Sequence, residues 1–158
     1  MQKITPFLWF DGQAEEAARL YTSIFPNSKV VSVKHWGEGT PFPKDQAMTV
    51  VFELQGQRFY AMDAGPEFNF TEAISMYVDC KDQQEVDYYW DRLTAGGGQE
   101  QPCGWLKDKF GLSWQIVPKA LPEMLQDNDK AKAGRAMQAM MQMKKIDIAT
   151  LQKAYNGK

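Results

Sequence analysis

Residues 4–10, Ile4-Thr5-Pro6-Phe7-Leu8-Trp9-Phe10, alternate loosely between polar and apolar positions and are rich in β-formers, which predicts a strand. Asp11-Gly12 ends it. Ala14, Ala17, Ala18, Tyr21, Ile24 and Phe25 then recur at helical spacing, with Glu15, Glu16 and Arg19 on the opposite face. Pro26-Asn27 stops that helix. Lys29–Trp36 reads as a second strand. Gly37 to Pro43 holds two Gly and two Pro and reads as a mobile loop. Met48–Leu54 and Arg58–Asp63 flank Gln55-Gly56-Gln57, a hairpin signal that completes a βαβββ unit.

The same pattern returns at an offset of 68 residues. Phe10-Asp11 is followed ten positions on by Tyr21, and Val78-Asp79 ten positions on by Tyr89. Residues 72–78 predict the strand, and Gln84 to about Ala95 predicts a helix burying Val86, Tyr89, Trp90 and Leu93. Gly96-Gly97-Gly98 ends the helix, because the turn demands positive φ. Strands near 99–106 and at 112–117 follow, joined by Lys107-Asp108-Lys109-Phe110-Gly111. Beyond Leu121 the pattern is helical only. Ala133, Met137, Met140 and Met141 mark one stripe, and Ile148, Leu151 and Tyr155 a shorter one, to be packed on the body or on a second subunit.

The resulting expectation is an α+β fold of two βαβββ modules, 1–64 and 65–118, in one curved mixed sheet with both module helices on the convex face. Residues 119–158 form a C-terminal helical arm. Duplicated units of this kind enclose a cleft, and that is where a ligand is expected.

Composition narrows the functions. The chain is 44% hydrophobic and 24% charged, with a net charge of −2, so nothing favours nucleic acid or an anionic membrane. No apolar run approaches the ~20 residues that span a bilayer, and the N-terminus enters a strand pattern without a basic-then-apolar leader. Cys80 and Cys103 make neither a disulfide framework nor a metal knuckle, which suits a reduced, cytoplasmic setting.

Three segments carry a resemblance: the opening run with Glu15-Glu16-Ala17 and Tyr21; Gly65-Pro66-Glu67-Phe68 with Ala73-Ile74-Ser75; and, most specific, Asp108-Lys109-Phe110-Gly111-Leu112-Ser113-Trp114-Gln115-Ile116-Val117-Pro118. Over about residues 3–118 the chain resembles the vicinal oxygen chelate superfamily, which includes glyoxalase I, bleomycin-resistance proteins and extradiol dioxygenases. Within it the chain is similar to the PhnB-like branch, whose family label is 3-demethylubiquinone-9 3-methyltransferase. The resemblance implies a homodimer, and metal ligands on the concave face at Thr5, at Ala61 or Asp63, at Ala73 and at Gln115. Divalent metals want imidazole or carboxylate donors, and here only Asp63 offers a charge. No metal and no cofactor are therefore expected.

If Gln115 faces inward, strand alternation turns Ser113 and Val117 the same way, and Trp114 and Ile116 toward the helix. Thr5, Phe7 and Trp9 then line one wall and Ala73, Ser75 and Tyr77 the other, with Asp63 at the rim. An aromatic pocket with a few neutral polar groups suits a small, largely apolar or planar ligand; the aromatics could equally fill the barrel half or a dimer seam. The candidate ligand residues are Phe7, Trp9, Asp63, Ser75, Tyr77, Ser113 and Gln115. His35, the only histidine, reads as a surface or core residue, with a general base under a closing loop as its functional reading. Cys103 lacks a neighbouring histidine to make it a nucleophile and reads as structural, and Cys80 more so.

Three functions compete: a metal-free binding or sequestration protein, a lyase, isomerase or other small-molecule enzyme using Asp63 or His35 or unusual metal ligands, and a ubiquinone methyltransferase. The usual methyltransferase needs a glycine-rich turn from a parallel strand into a helix, whereas Gly96-Gly97-Gly98 follows a helix.

Overall fold

The computed structural model describes residues 1–158 and divides into two units, Met1–Asn69 and Phe70–Lys158. In the first, β1 (Phe7–Phe10), α1 (Ala14–Ile24), β2 (Lys29–His35), β3 (Ala47–Leu54) and β4 (Gln57–Asp63) make a mixed sheet of order β1-β4-β3-β2. Only β1 and β4 run parallel. The β3–β4 hairpin closes on Gln55 and Gly56, both at positive φ (50° and 83°), the left-handed pair that matches strand twist. Helix α1 buries Ala14, Ala17, Ala18, Tyr21 and Ile24, the stripe its spacing predicts. Beneath it Phe52 and Phe59, partners across the hairpin, stack at 5.3 Å.

The Gly37–Pro43 loop lies against Trp36. Trp36 stacks on Phe42 with centroids 4.3 Å apart, its indole N–H donates to the Asp63 carbonyl, and its backbone N–H donates to Gln46.

The second unit repeats the plan with β5 (Ser75–Cys80), α2 (Gln83–Thr94), β6 (Gln99–Glu100), β7 (Trp105–Lys107) and β8 (Ser113–Pro118), in the order β5-β8-β7-β6. The α+β class and the two βαβββ modules are thus as the sequence predicts, and hydrogen bonding gives each module its own four-stranded sheet. The predicted strand 99–106 is not continuous. A 3-10 turn at Pro102–Gly104 breaks it, because Pro102 brings no N–H and Cys103 and Gly104 both take positive φ (64° and 83°). The amides of Cys103 and Gly104 turn instead to the carbonyls of Met143 and Lys144.

Gly98 illustrates how tightly α2 is joined to its sheet. A β-carbon there would lie 2.7 Å from the Thr94 backbone and 2.8 Å from the Lys107 carbonyl oxygen. Gly98→Ala is expected to destabilise the protein by about 1–3 kcal/mol, the scale of overpacking against immobile atoms, read as a lower urea midpoint.

The C-terminal segment forms α3 (Ala120–Leu125), α4 (Lys130–Met141) and α5 (Ile148–Tyr155) within the second unit. Val117, Leu121, Met124, Ala136, Ile146 and Leu151 make its core. The Gln83 side-chain amide clamps it to α2, donating to the Ile146 carbonyl and accepting from the Ile148 amide. Asp129 and Asp147 cap α4 and α5 through their backbone amides. The predicted stripe on α4 is shifted. Ala133 and Ala136 are buried and Met140 packs on the core, while Met137 and Met141 stay outside, since only one i, i+3, i+7 line can face inward.

Candidate functional site

In the first unit, alternation divides β1 cleanly. Leu8 and Phe10 are buried, whereas Phe7 is half exposed and Trp9 partly covered. Parallel register sets Phe7 beside Tyr60 and Trp9 beside Met62. Phe7 meets Tyr60 edge to face at 5.7 Å, and Trp9 meets Phe68 at 4.9 Å while its indole N–H donates to the Gly65 carbonyl. Phe7 and Trp9 therefore share one aromatic face, joined by Tyr60 and Phe68. Sequence reasoning missed those two because the β1–β4 register, which recruits Tyr60, is a long-range pairing.

Asp63 is not a rim residue. On β4 it keeps phase with buried Phe59 and Ala61, opposite to Tyr60 and Met62, and is 2% exposed. Its Oδ1 accepts from the Ala14 amide at 2.9 Å and its Oδ2 from the Ala47 amide at 2.9 Å. Helix α1 has no side-chain cap of its own at Gln13, so Asp63 supplies one from 49 positions along the chain.

In the second unit the parallel register of β5 and β8 pairs Ser75 with Ser113 and Tyr77 with Gln115. The Gln115 amide donates to the Ser75 hydroxyl at 2.9 Å. Ser113 is fully buried, and its hydroxyl has no hydrogen-bond partner. Tyr77 stands exposed on the adjacent strand. Burial and the Asp79 carboxylate raise the Tyr77 pKa above the ordinary phenol value, so its hydroxyl remains a donor at neutral pH. Trp114 and Ile116 are buried, as alternation predicts. Val117, predicted to line the pocket, is instead covered by the arm's core.

The motif Asp108–Gln115 acquires a structural meaning. Asp108, 3% exposed, accepts from the amides of Phe110 (2.9 Å) and Leu112 (3.1 Å) with Oδ1, and from the Trp114 indole (2.8 Å) with Oδ2. One carboxylate thus shapes the turn and fixes the residue between Ser113 and Gln115. Its signal was the Asp-x-x-Gly spacing, but its target was not visible.

His35 lies exposed at the end of β2, its Nε2 3.5 Å from Glu15, which Arg19 also engages. The Arg19 hydrogen bond, followed by smaller effects that include His35, holds the Glu15 carboxyl below its usual range. This is a surface ion cluster. Cys80 is buried, and desolvation with nearby carboxylates pushes its thiol up to about 12, so it stays protonated at neutral pH. Cys103 is partly buried in the 3-10 turn.

The superfamily's metal positions do not form a donor set here. Ala61 and Ala73 bring no ligand atom, Gln115 is engaged with Ser75, and Asp63 spends both oxygens on backbone amides. No three His, Cys, Asp or Glu side chains converge anywhere in the chain. These residues do not fit a catalytic divalent cation.

Paired βαβββ units of this topology define the vicinal oxygen chelate fold. The chain belongs to the 3-demethylubiquinone-9 3-methyltransferase family, whose pattern matches residues 2–117. It is similar to a PhnB protein from Bacillus cereus, a putative 3-demethylubiquinone-9 3-methyltransferase, with 37% identity and a TM-score of 0.69 over 74% of this chain and 99% of that one. Two further structures share the fold: a protein from Pseudomonas aeruginosa (21% identity, TM-score 0.63, covering 75% of this chain and 98% of that one) and the fosfomycin resistance protein FosX from Listeria monocytogenes (16%, TM-score 0.52, 78% and 97%). No curated protein matches the chain. No helix is long and apolar enough to cross a membrane.

Proposed function

We propose that this PhnB-like chain binds a small, largely apolar or planar molecule without a metal ion. The observation that carries the reading is the donor set: the one ionisable group among the family's ligand positions, Asp63, is consumed in capping α1. What remains on β5 and β8 is a neutral polar trio, Ser75, Ser113 and Gln115, beside the open ring of Tyr77. Phe7 and Trp9 offer the corresponding aromatic surface of the first unit. The unpartnered Ser113 hydroxyl supports a polar ligand contact there, because buried hydroxyls are seldom left unpaired.

Neither enzymatic candidate gains support. Asp63 is buried among backbone amides, and His35 sits in a surface ion cluster. Methyl transfer is not favoured either, since the glycine triplet leads from α2 into β6 rather than from a parallel strand into a helix. A cytoplasmic homodimer is part of the proposal, and light scattering that showed only the 18.0 kDa species at micromolar concentration would contradict it.

A thermal-shift screen of planar small molecules tests the function. A hit should raise Tm by mass action, whereas zinc, nickel or manganese should not. Tyr77→Ala should weaken a hit held on the second unit by about 1–3 kcal/mol by calorimetry, and Trp9→Ala should do the same to a hit held on the first. Gln115→Ala should alter selectivity among hits more than stability. Stoichiometric metal in protein purified without chelator, with a turnover that Gln115→Ala abolishes, would overturn the reading.

A further inference from the structure

We propose that the helical arm builds a second small-molecule site on the second unit, a groove that takes a zwitterion carrying an ammonium and an acidic group. The inference goes beyond the function above: the groove shares Tyr77 and its side of β5 with that site, but its charged groups Asp79, Lys119 and Glu123 are not among the residues that site uses.

The groove measures about 450 Å³, within the range of small-molecule sites, and is lined by Tyr77, Asp79, Lys119, Pro122, Glu123 and Gln126. Tyr77 and Asp79 sit two apart on β5 and so point to the same side of the sheet. The other four come from α3 and its two ends. They lie beyond residue 117, where the family match stops. The groove therefore joins two residues of the matched segment, Tyr77 and Asp79, to four from the segment that follows it.

The charges in the groove are unspent. Asp79, Lys119 and Glu123 are exposed, and none of them takes part in an ion pair or side-chain hydrogen bond. Lys119 and Glu123 are four apart, but the lysine comes first, the weaker order for an intrahelical pair. A ligand with one kind of charge would be attracted by part of this lining and repelled by the rest. A zwitterion can place its ammonium by Asp79 and Glu123, against the face of Tyr77, and its acidic group by Lys119. The Tyr77 ring, 55% exposed, and Pro122 supply apolar contact for the body of the ligand.

The test is titration calorimetry on the full chain with L-phenylalanine and its two halves, phenethylamine and 3-phenylpropionate. Phenylalanine should bind saturably, and each half about threefold to fivefold more weakly, the scale of one exposed charge pair. Lys119→Ala should reduce phenylalanine affinity to that of the amine and leave phenethylamine unchanged. Glu123→Gln should weaken phenylalanine and phenethylamine together. Both substitutions are on the surface and should leave Tm in place. Planar molecules found by the thermal-shift screen should keep their affinity in Lys119→Ala and Glu123→Gln, which lie outside the residues proposed to hold them, so the two readings fail separately. The proposal is overturned by no saturable heat up to about 10 mM phenylalanine, by 3-phenylpropionate binding as well as phenylalanine, or by indifference to both Lys119→Ala and Glu123→Gln.

Discussion

Asp63→Ala is expected to cost about 3–5 kcal/mol of stability, because it strands two buried amides that now donate to one carboxylate. The amides of Ala14 and Ala47 lie at the start of α1 and the start of β3, so a single side chain holds the first helix and the inner hairpin to the end of β4. Asp63→Asn keeps one acceptor and should lose about half as much. Asp11→Ala, an exposed neighbour in the same turn region, should stay within about 0.5 kcal/mol. Urea unfolding followed by circular dichroism measures all three. Native-state hydrogen exchange should show the Ala14 and Ala47 amides losing protection first. An Asp63→Ala protein as stable as the parent would show that water replaces the carboxylate easily, and the capping role would fail. It would also reopen Asp63 as a ligand.

The second large effect is expected at Asp108. Its carboxylate accepts from two turn amides and from the Trp114 indole, all within 3.1 Å, and it is almost wholly buried. Asp108→Ala should therefore lose about 3–4 kcal/mol. Trp114→Phe, which removes only the indole donor, should cost the pair less than Asp108→Ala does, since the two turn amides keep their acceptor. The functional consequence is distinct from the thermodynamic one. Trp114 lies between Ser113 and Gln115, so a turn that relaxes should misplace both. Ligand binding on that face should fall in Asp108→Ala even under conditions where the variant is folded. Unchanged affinity in the folded variant would mean that the β8 register alone holds these side chains in place.

The repeat at 68 residues, the α1 and α2 stripes and the hairpin at Gln55-Gly56 were all legible in the sequence. Each depends on neighbours within a few residues, where periodicity and turn chemistry act directly. The opposed faces of β1, with Leu8 and Phe10 buried and Phe7 and Trp9 on the open side, follow from the same local geometry. The break at Pro102–Gly104 was partly visible as a Pro and a Gly, but the positive φ of Cys103 was not. That conformation is held by hydrogen bonds to Met143 and Lys144, 40 residues further on.

The candidate site divides along the same line. Gln115, Ser75 and Tyr77 could be placed on one face because strand alternation is local, and the parallel pairing of β5 with β8 then brought them side by side. Asp63 could not be read correctly. A carboxylate at the end of a strand looks the same in sequence whether it faces a ligand or a helix end, and the choice was made by α1 arriving without a cap of its own. Val117 was reassigned for a similar reason, since the arm that covers it is distant in sequence from the strand it packs on. By itself, then, the sequence determined the duplicated α+β plan and which residues alternate together, because those follow from periods of 2 and 3.6. Only the tertiary structure decided which polar groups remain free for a ligand, because a carboxylate or hydroxyl is available only after distant backbone amides have taken the partners they need.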